Sequence, residues 1–290
     1  MKILIIGNPI SGKGKAYKKA KKLENILSTK GYAVTSYFTR FQGDAKQYLQ
    51  RNRTRFNRVI VVGGDGTLNE VINGIPDNFS TPIAQVPTGN ANLLGKEIGY
   101  PNKVKEVQRT VESGAIINVD IAYADNTKFL MVAGVGFDAR VTEKIKKTRL
   151  GKISNFSYLK PIYHSLNKKN IYNINVDGQE YKGSSILVCN GRNYAGIVEI
   201  AYNANLSSGL LDVIIFPSDS LISILKYFIT AKFFKITALP EVTYVQGVNV
   251  KIYSNEEFPL QVDGDFIGYF RHTNIGLHPE KIPFVRGMNR

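Results

Sequence analysis

Residues 58–75, RVIVVGGDGTLNEVINGI, constrain the chain more than any other stretch. An unbroken apolar run stops at Gly63-Gly64-Asp65-Gly66-Thr67, and a segment of helical spacing from Thr67 to Gly74 follows at once. A strand without polar alternation is buried on both faces, and such a strand feeding straight into a helix is part of a β–α–β unit. The pairing recurs. KILIIG (2–7) precedes a helix over 13–29, with Ala16, Ala20, Leu23, Ile26 and Leu27 on one side and lysines on the other. YAVTSYFT (32–39) precedes a helix over 44–52, and TPIAQVP (81–87) precedes one from about Ala91 to Ile98. Alternation of this kind predicts a parallel sheet covered on both faces over residues 1–120.

Beyond residue 120 the pattern changes. INVDIAYA (117–124), TKFLMVAGVG (127–136), IYNINVDGQEYKG (171–183), SSILVCNG (184–191) and GLLDVIIF (209–216) read as strands or hairpins. So do NVKIYS (249–254), FPLQVDGDFIGYF (258–270) and IGLHP (275–279), with Asp-Gly and Asn-Gly turns between such segments. Closely spaced short strands predict an antiparallel, sandwich-like domain over 121–280. Residues 141–168 and 219–236 interrupt it. In 219–236, Leu221, Leu225, Phe228 and Phe233 fall near one helical face, and Lys226, Lys232 and Lys235 add charge. That run reads either as a crossover helix packed between strands or as a helix lying on an anionic membrane. The fold class is α/β followed by all-β.

Composition narrows the setting. The 290 residues, 43% hydrophobic and 21% charged, suit one large packed domain or two ordinary ones. No apolar run is long enough for a transmembrane helix, and the N-terminus lacks the features of a signal peptide, so a cytoplasmic protein is expected. A single cysteine, Cys189, excludes a disulfide framework and a multi-cysteine zinc site. The net charge of +15, from 38 Lys+Arg against 23 Asp+Glu, favours polyanions. Basic residues gather at Lys13–Lys22, at Arg51–Arg58, and at Lys144, Lys146, Lys147, Arg149 and Lys152; the plain alternative is a solvated basic surface. No RRM, KH, zinc-finger or helix-turn-helix signature accompanies the charge, so nucleic acid is not an expected partner.

The glycine-rich turn carries the chemistry. Glycines let a backbone approach a ligand closely, and the helix that follows offers N–H groups and a positive dipole end to phosphate. Asp65 could hold Mg²⁺ directly or through water, and Thr67 could donate its hydroxyl to a phosphate oxygen. Two more loops follow strands of the same sheet: Gly7-Asn8-Pro9-Ile10-Ser11-Gly12, and Pro87-Thr88-Gly89-Asn90-Ala91-Asn92. Ligands of open α/β sheets bind at the carboxyl ends of strands, so three such loops predict a nucleotide site. Lys13 and Lys15 are present, but the spacing is not that of a Walker A loop.

These residues resemble the diacylglycerol kinase catalytic-domain family, to which sphingosine and ceramide kinases are more distantly related. The first half carries NPxSG at 8–12, GGDGTLNEVINGI at 63–75 and PTGNANLLGKEIG at 87–99. The second half carries GVGFDA at 134–139, CNG at 189–191, GLLDV at 209–213 and QVDGD at 261–265, close to the family's DGE element. The resemblance implies a nucleotide-binding domain of the NAD kinase and phosphofructokinase type and a β-sandwich-like lipid domain. It also implies a C-terminal tail, about 281–290, returning to the first domain. The implied activity is ATP- and Mg²⁺-dependent phosphorylation of a lipid hydroxyl, with diacylglycerol as acceptor, at the membrane surface; a homodimer is left open. Asn8, Ser11 and Thr39 then flank the nucleotide, and Gly63, Gly64, Asp65, Gly66 and Thr67 hold the triphosphate and Mg²⁺. Glu70 supports that loop, and Gly89 and Asn90 complete the site. Asp138 lies where the acceptor hydroxyl approaches, Asp265 is the DGE-like acid that activates it, and Asp212 marks a structural metal site of some members.

Departures from the family pattern are specific. Asn90 replaces a threonine, Tyr202 and Ser208 replace a proline and an aspartate before GLLDV, and Ile197 and Val198 replace glycines. With Ser208 in place of an acid, a metal at Asp212 should be weak or absent. Asp265 stands for a glutamate, which withdraws the carboxylate by roughly 1.5 Å. Asp263 and Asp265 could face one side of an extended strand, although Asp-Gly is also the commonest hairpin signal, as at Asp177-Gly178. The alternatives to a lipid kinase are an NAD kinase-like enzyme and a protein that binds lipid or nucleotide without turnover. Asn69-Glu70 directly after GGDGT follows the lipid-kinase pattern.

Overall fold

A computed structural model of the chain describes residues 1–52, 54–101, 103–148, 162–166 and 170–287. It divides into two compact units, Met1–Ile121 with Pro279–Arg290, and Ala122–His278.

In the first unit, β1 (Lys2–Gly7), β2 (Ala33–Phe38), β3 (Arg58–Gly63) and β4 (Ile83–Pro87) form a parallel sheet in the order β2-β1-β3-β4. β18 (Ile282–Val285) extends it parallel to β4, and β5 (Ile116–Val119) pairs antiparallel with β18 at the edge. Ile3 to Ile6 and Val59 to Val62 are buried, as continuous apolar strands require. α1 (Lys15–Thr29) buries Ala16, Ala20, Leu23 and Leu27 at helical spacing. It starts two residues later than its pattern suggests, because Gly12, Lys13 and Gly14 all take left-handed conformations. α2 (Asp44–Arg51), α3 (Asp65–Ile72) and α4 (Leu93–Glu97) follow β2, β3 and β4. α3 opens at Asp65, inside the glycine-rich turn, rather than at Thr67. α5 (Val104–Ser113) has no counterpart among the expected helices; it buries Val107 and Val111 together with the polar Gln108 and Thr110, which break up an apolar face.

The connection before α2 is held by charge. Asp44 is buried and accepts hydrogen bonds from the Arg40 backbone N–H at 2.8 Å, from Arg40 Nε at 3.1 Å and from the Tyr37 hydroxyl at 2.7 Å. The Arg40 guanidinium, ahead of the opposing effect of burial, holds the Asp44 carboxyl down at about 2.

The segment read as one strand over 117–124 is two. β5 belongs to the first sheet, β6 (Ala122–Ala124) to the second, and buried Asp120 between them pairs with Lys281 at 2.9 Å. In the second unit β7 (Thr127–Phe129), β8 (Val132–Val135), β9 (Tyr172–Val176), β10 (Gln179–Gly183), β11 (Ser185–Cys189), β14 (Leu211–Phe216), β15 (Thr243–Gly247), β16 (Asn249–Val262) and β17 (Asp265–Leu277) join β6 in one antiparallel sheet. Its order is β15-β14-β11-β8-β16-β17-β6-β7, and the β9–β10 hairpin attaches to β16. β12 (Asn193–Tyr194) and β13 (Val198–Glu199) pair separately. The segments 249–254 and 258–270, expected as separate strands or hairpins, are parts of one long bulged hairpin, β16–β17.

Strand alternation builds two cores. Leu211, Val213 and Ile215 of β14 enter one with Ala122, Phe129, Tyr172 and Phe258, so strands from distant places in the sheet order share an interior, as in a sandwich. Ile214 and Phe216 point the other way, into a second core closed by Tyr227 and Ala231 of α7 (Leu221–Phe233). α6 (Phe137–Thr148) follows β8, and its buried Arg140 pairs with Asp219, just before the Ser220 cap of α7. Residues 149–161 and 167–169 of the interrupting stretch lie outside the described residues, as do Arg149 and Lys152 of its basic cluster.

Three aspartates in left-handed turn positions stitch this sheet. Asp177 accepts N–H groups from Val248 and Asn249 at 2.8 and 2.9 Å. Asp125 accepts from Thr273 Oγ1 at 2.8 Å and from the Asn274 N–H at 3.1 Å. Asp263 accepts from the N–H groups of Leu130, Met131 and Val132 at 2.8, 2.8 and 3.0 Å. This grip interrupts the strand expected over 127–136 between β7 and β8. It also corrects the extended geometry considered for Asp263 and Asp265: residues 263 and 264 are the turn itself, with φ of 47° and 83°.

Asparagine tolerates the left-handed region but carries no charge. Asp263→Asn should therefore cost about 2 kcal/mol in urea unfolding, and the more exposed Asp177→Asn under about 1 kcal/mol; equal costs would contradict the reading. Asp44 gives a pH-dependent expectation. Its folded value lies below the ordinary carboxylate value of about 3.9, so its contribution is present above that pH and is lost as pH falls through about 2. The Tm gap between wild type and Asp44→Asn should be full at mildly acidic pH and close toward pH 2.

Candidate active site

In the first unit the chain turns from β1 to β2 on one side and to β3 on the other, so the loops after β1 and β3 flank the point where strand order reverses. Such points are where open α/β sheets bind ligands. The loops are joined by side chains the sequence singled out. Asn8 Nδ2 donates to Thr67 Oγ1 at 3.4 Å, and Ser11 Oγ lies 2.9 Å from Thr88 Oγ1. Buried Thr39 donates its N–H to the Gly7 carbonyl at 2.9 Å.

Asp65 is the joint of the β3 and β4 loops. One carboxylate oxygen accepts the Asn92 N–H and the other the Leu93 N–H, both at 2.7 Å. Burial pushes its carboxyl upward, with these backbone bonds opposing. Asn92, which the sequence reading passed over in favour of Asn90, closes the loop after β4: its Oδ1 accepts from the Gly89 N–H at 2.9 Å and its Nδ2 donates to the Gly89 carbonyl at 2.7 Å. Asn90 itself is exposed. Glu70 accepts the N–H groups of Gly43 and Ala45 at 2.8 and 3.2 Å, which fixes the start of α2.

The glycines of the turn separate into two kinds. A Cβ on Gly63 would meet Thr67 at 2.6 Å, and one on Gly89 would meet the Gly64 Cα at 2.7 Å. Packing alone requires these. A Cβ on Gly66 would meet nothing within 4 Å. Gly66 lies in the first turn of α3, where N–H groups have no partner within the helix. Lys19, within the basic run Lys13–Lys22, brings its Nζ to 3.5 Å from the Pro87 carbonyl at the end of β4. Its ammonium is pushed to a lower pKa by burial and by Lys15.

The second unit holds a separate constellation. Asp138, in the first turn of α6, accepts hydrogen bonds from the Tyr194 hydroxyl and, at 2.6 Å, from Gln261 Nε2. Gly134 on β8 has no side chain because its Cβ would strike the Asp138 carboxylate. Burial pushes the Asp138 carboxyl upward against both hydrogen bonds, and it pushes the Tyr194 hydroxyl far up as well. Asp138 and Tyr194 line a cavity of about 120 Å³ whose walls also include Leu187, Val198, Phe216, Ile224 and Phe228. Gln261 was legible in principle, as a lone polar residue inside the apolar run FPLQV; Tyr194 gave no signal.

Asp265 opens β17 half-buried, and the Asp138 carboxylate is bound by Tyr194 and Gln261 rather than by it. Asp212 is buried and accepts from the Tyr244 hydroxyl and from Gln246 Nε2 at 3.3 Å, while its Oδ2 has no hydrogen-bond partner. Among the described residues no group of three or more His, Cys, Asp or Glu side chains is arranged to hold a metal.

Residues 2–124 match the model of the diacylglycerol kinase catalytic domain, and residues 131–285 that of the YegS C-terminal NAD kinase beta sandwich-like domain. The diacylglycerol kinase of Staphylococcus carnosus (strain TM300) is 30% identical over 94% of this chain and 91% of its own length. That of Bacillus subtilis (strain 168) is 26% identical over 96% of both. A crystal structure of a diacylglycerol kinase from Bacillus anthracis str. Sterne superposes with a TM-score of 0.78 at 26% identity, covering 99% of this chain and 97% of the other. An NAD kinase from Archaeoglobus fulgidus, solved with ATP, shares the fold alone, with a TM-score of 0.55 at 14% identity over 99% and 94%. With both halves matched by consecutive domains, the chain belongs to the diacylglycerol kinase family.

Proposed function

We propose that the protein is a Mg²⁺- and ATP-dependent lipid kinase that phosphorylates a lipid hydroxyl, diacylglycerol first among candidates, to give the phosphatidic acid, while held at a membrane surface. The observation that carries the nucleotide half is Gly66. Every other glycine of the GGDG turn and its partner Gly89 is accounted for by a neighbouring atom, whereas Gly66 faces open space at a helix N-terminus. A phosphate group fits that space, its oxygens accepting the N–H groups of the first turn. Asn8, Ser11, Thr39, Thr67 and Lys19 border the same loops. Mg²⁺ would be met by Asp65 and would supply neutralisation of the triphosphate charge.

The second unit is assigned the acceptor. Asp138 combines a carboxylate held in a fixed orientation with an apolar cavity, which suits a hydroxyl on a hydrocarbon chain. It orients that hydroxyl and takes its proton through a remaining lone pair. Asp265 remains a second candidate for the same duty on the family resemblance. No described helix is long and apolar enough to cross a membrane, so attachment is assigned to the surface.

Gly66→Ala separates a ligand site from a turn. The alanine has room and favours helix by about 0.5–1 kcal/mol, so the Tm should hold or rise. ATP affinity should fall about tenfold or more, since a clash with a bound phosphate costs about 1–3 kcal/mol. Unchanged ATP affinity by calorimetry would remove the assignment. For the acceptor half, phosphorylation of diacylglycerol from labelled ATP is followed against pH. Asp138 must be ionised to act, and its carboxyl is raised by burial, so the rate should fall on acidification from a pH above the ordinary carboxylate range. Asp138→Asn should lower kcat by about 10²–10⁴ with ATP affinity kept. If Asp265→Asn does this instead, the base is Asp265.

A further inference from the structure

The outward side of α7 is apolar and, among the described residues, exposed. Ile222 is 80% exposed, Phe233 66% and Phe234, just past the helix, 69%. At 3.6 residues per turn, Leu221, Ile222, Leu225, Phe228, Ile229 and Phe233 fall within an arc of roughly 140°. The inward side buries only Tyr227, Thr230 and Ala231. A helix facing water would carry its polar residues on that outer arc. This helix has no acidic residue at all, and Lys232 sits near the middle of the arc in the last turn, its Nζ 5.3 Å from the Phe233 ring centroid. Lys235 follows, its Nζ over the Tyr202 ring at 4.5 Å, and Lys226 at the margin pairs with Glu241 at 2.6 Å. Lysines so placed can lay their stems along apolar surface and lift the ammonium to the level of phosphate headgroups.

The same helix walls the cavity that Asp138 lines. Ile224, Tyr227, Phe228 and Ala231 line it, and Phe228 belongs to both sides, lining the cavity while 45% exposed. We propose that α7 is the element that docks the protein on an anionic bilayer, with Phe228 as the threshold between bilayer and cavity. The choice of a bilayer over a second copy of the chain rests on the lipid-kinase reading together with the positive charge at the helix end. A chain leaving the bilayer beside Phe228 enters the cavity without crossing water.

The test is sedimentation with vesicles of phosphatidylcholine plus phosphatidylglycerol, and of phosphatidylcholine alone, using wild type and an Ile222→Glu, Phe233→Glu double variant. Both positions are surface residues outside the cavity, and matched circular dichroism and Tm confirm folding. Wild type should pellet with the anionic vesicles, and the variant should bind about tenfold or more weakly, since two large apolar side chains leave the interface. Both should phosphorylate a short-chain, water-soluble diacylglycerol equally. Equal pelleting of the two proteins overturns the docking surface; if the variant then differs in oligomeric state by ultracentrifugation, the face covers a second copy instead. Loss of pelleting in the variant, with no phosphorylation of soluble diacylglycerol by either protein, upholds docking and overturns the kinase reading.

Discussion

Aspartate carboxylates that accept backbone N–H groups from a distant segment hold the working parts of this protein in place. At Asp65 the arrangement ties the turn after β3 to the start of α4, so two loops after parallel strands move as one. Hydrogen bonds to a charged acceptor contribute about 1.5–3 kcal/mol each, and a buried N–H left without a partner costs a similar amount. The bond is therefore both strong and hard to replace. Close contact of Gly64 with Gly89 follows from it, because the two backbones are drawn together until no side chain fits between them.

The second unit uses the same device on a sheet. Asp125, Asp177 and Asp263 each occupy a left-handed position in a turn and each reach a neighbouring strand. The conformation that suits aspartate to the turn also frees its carboxylate for a non-local partner. At Asp263 the partner is the segment between β7 and β8. β8 carries Gly134 and runs directly into the helix of Asp138. The turn therefore anchors one flank of the Asp138 cluster, and Gln261, three residues before Gly264, binds the Asp138 carboxylate on one side and the Gly264 N–H on the other.

Residue roles divide along the same line. Only its surroundings tell what a glycine is for; Gly63 and Gly66 are three positions apart in one run, yet only the first is pressed by a neighbouring atom. Among acids, Asp263 and Asp265 read alike in the sequence, but one is consumed by three backbone donors while the other opens a strand. Asn92 shows the reverse case, in which a side chain braces a loop without contributing a recognisable pattern of its own.

The strand–helix alternation of the first unit, its three strand-end loops and the antiparallel character of the second unit were legible in the sequence. Each depends on local periodicity and on turn residues, which act within a few positions. The split of 117–124 between two sheets, the fusion of 249–270 into one hairpin arm with its partner, and the break at Leu130–Met131 were decided only by tertiary structure. So were the Tyr194 and Gln261 contacts to Asp138 and the exposed face of α7. Hydrophobic spacing states that a residue is apolar and on which face of its own element it lies. Whether another element covers that face, or which distant N–H meets a carboxylate, is set by pairings between residues more than a hundred positions apart.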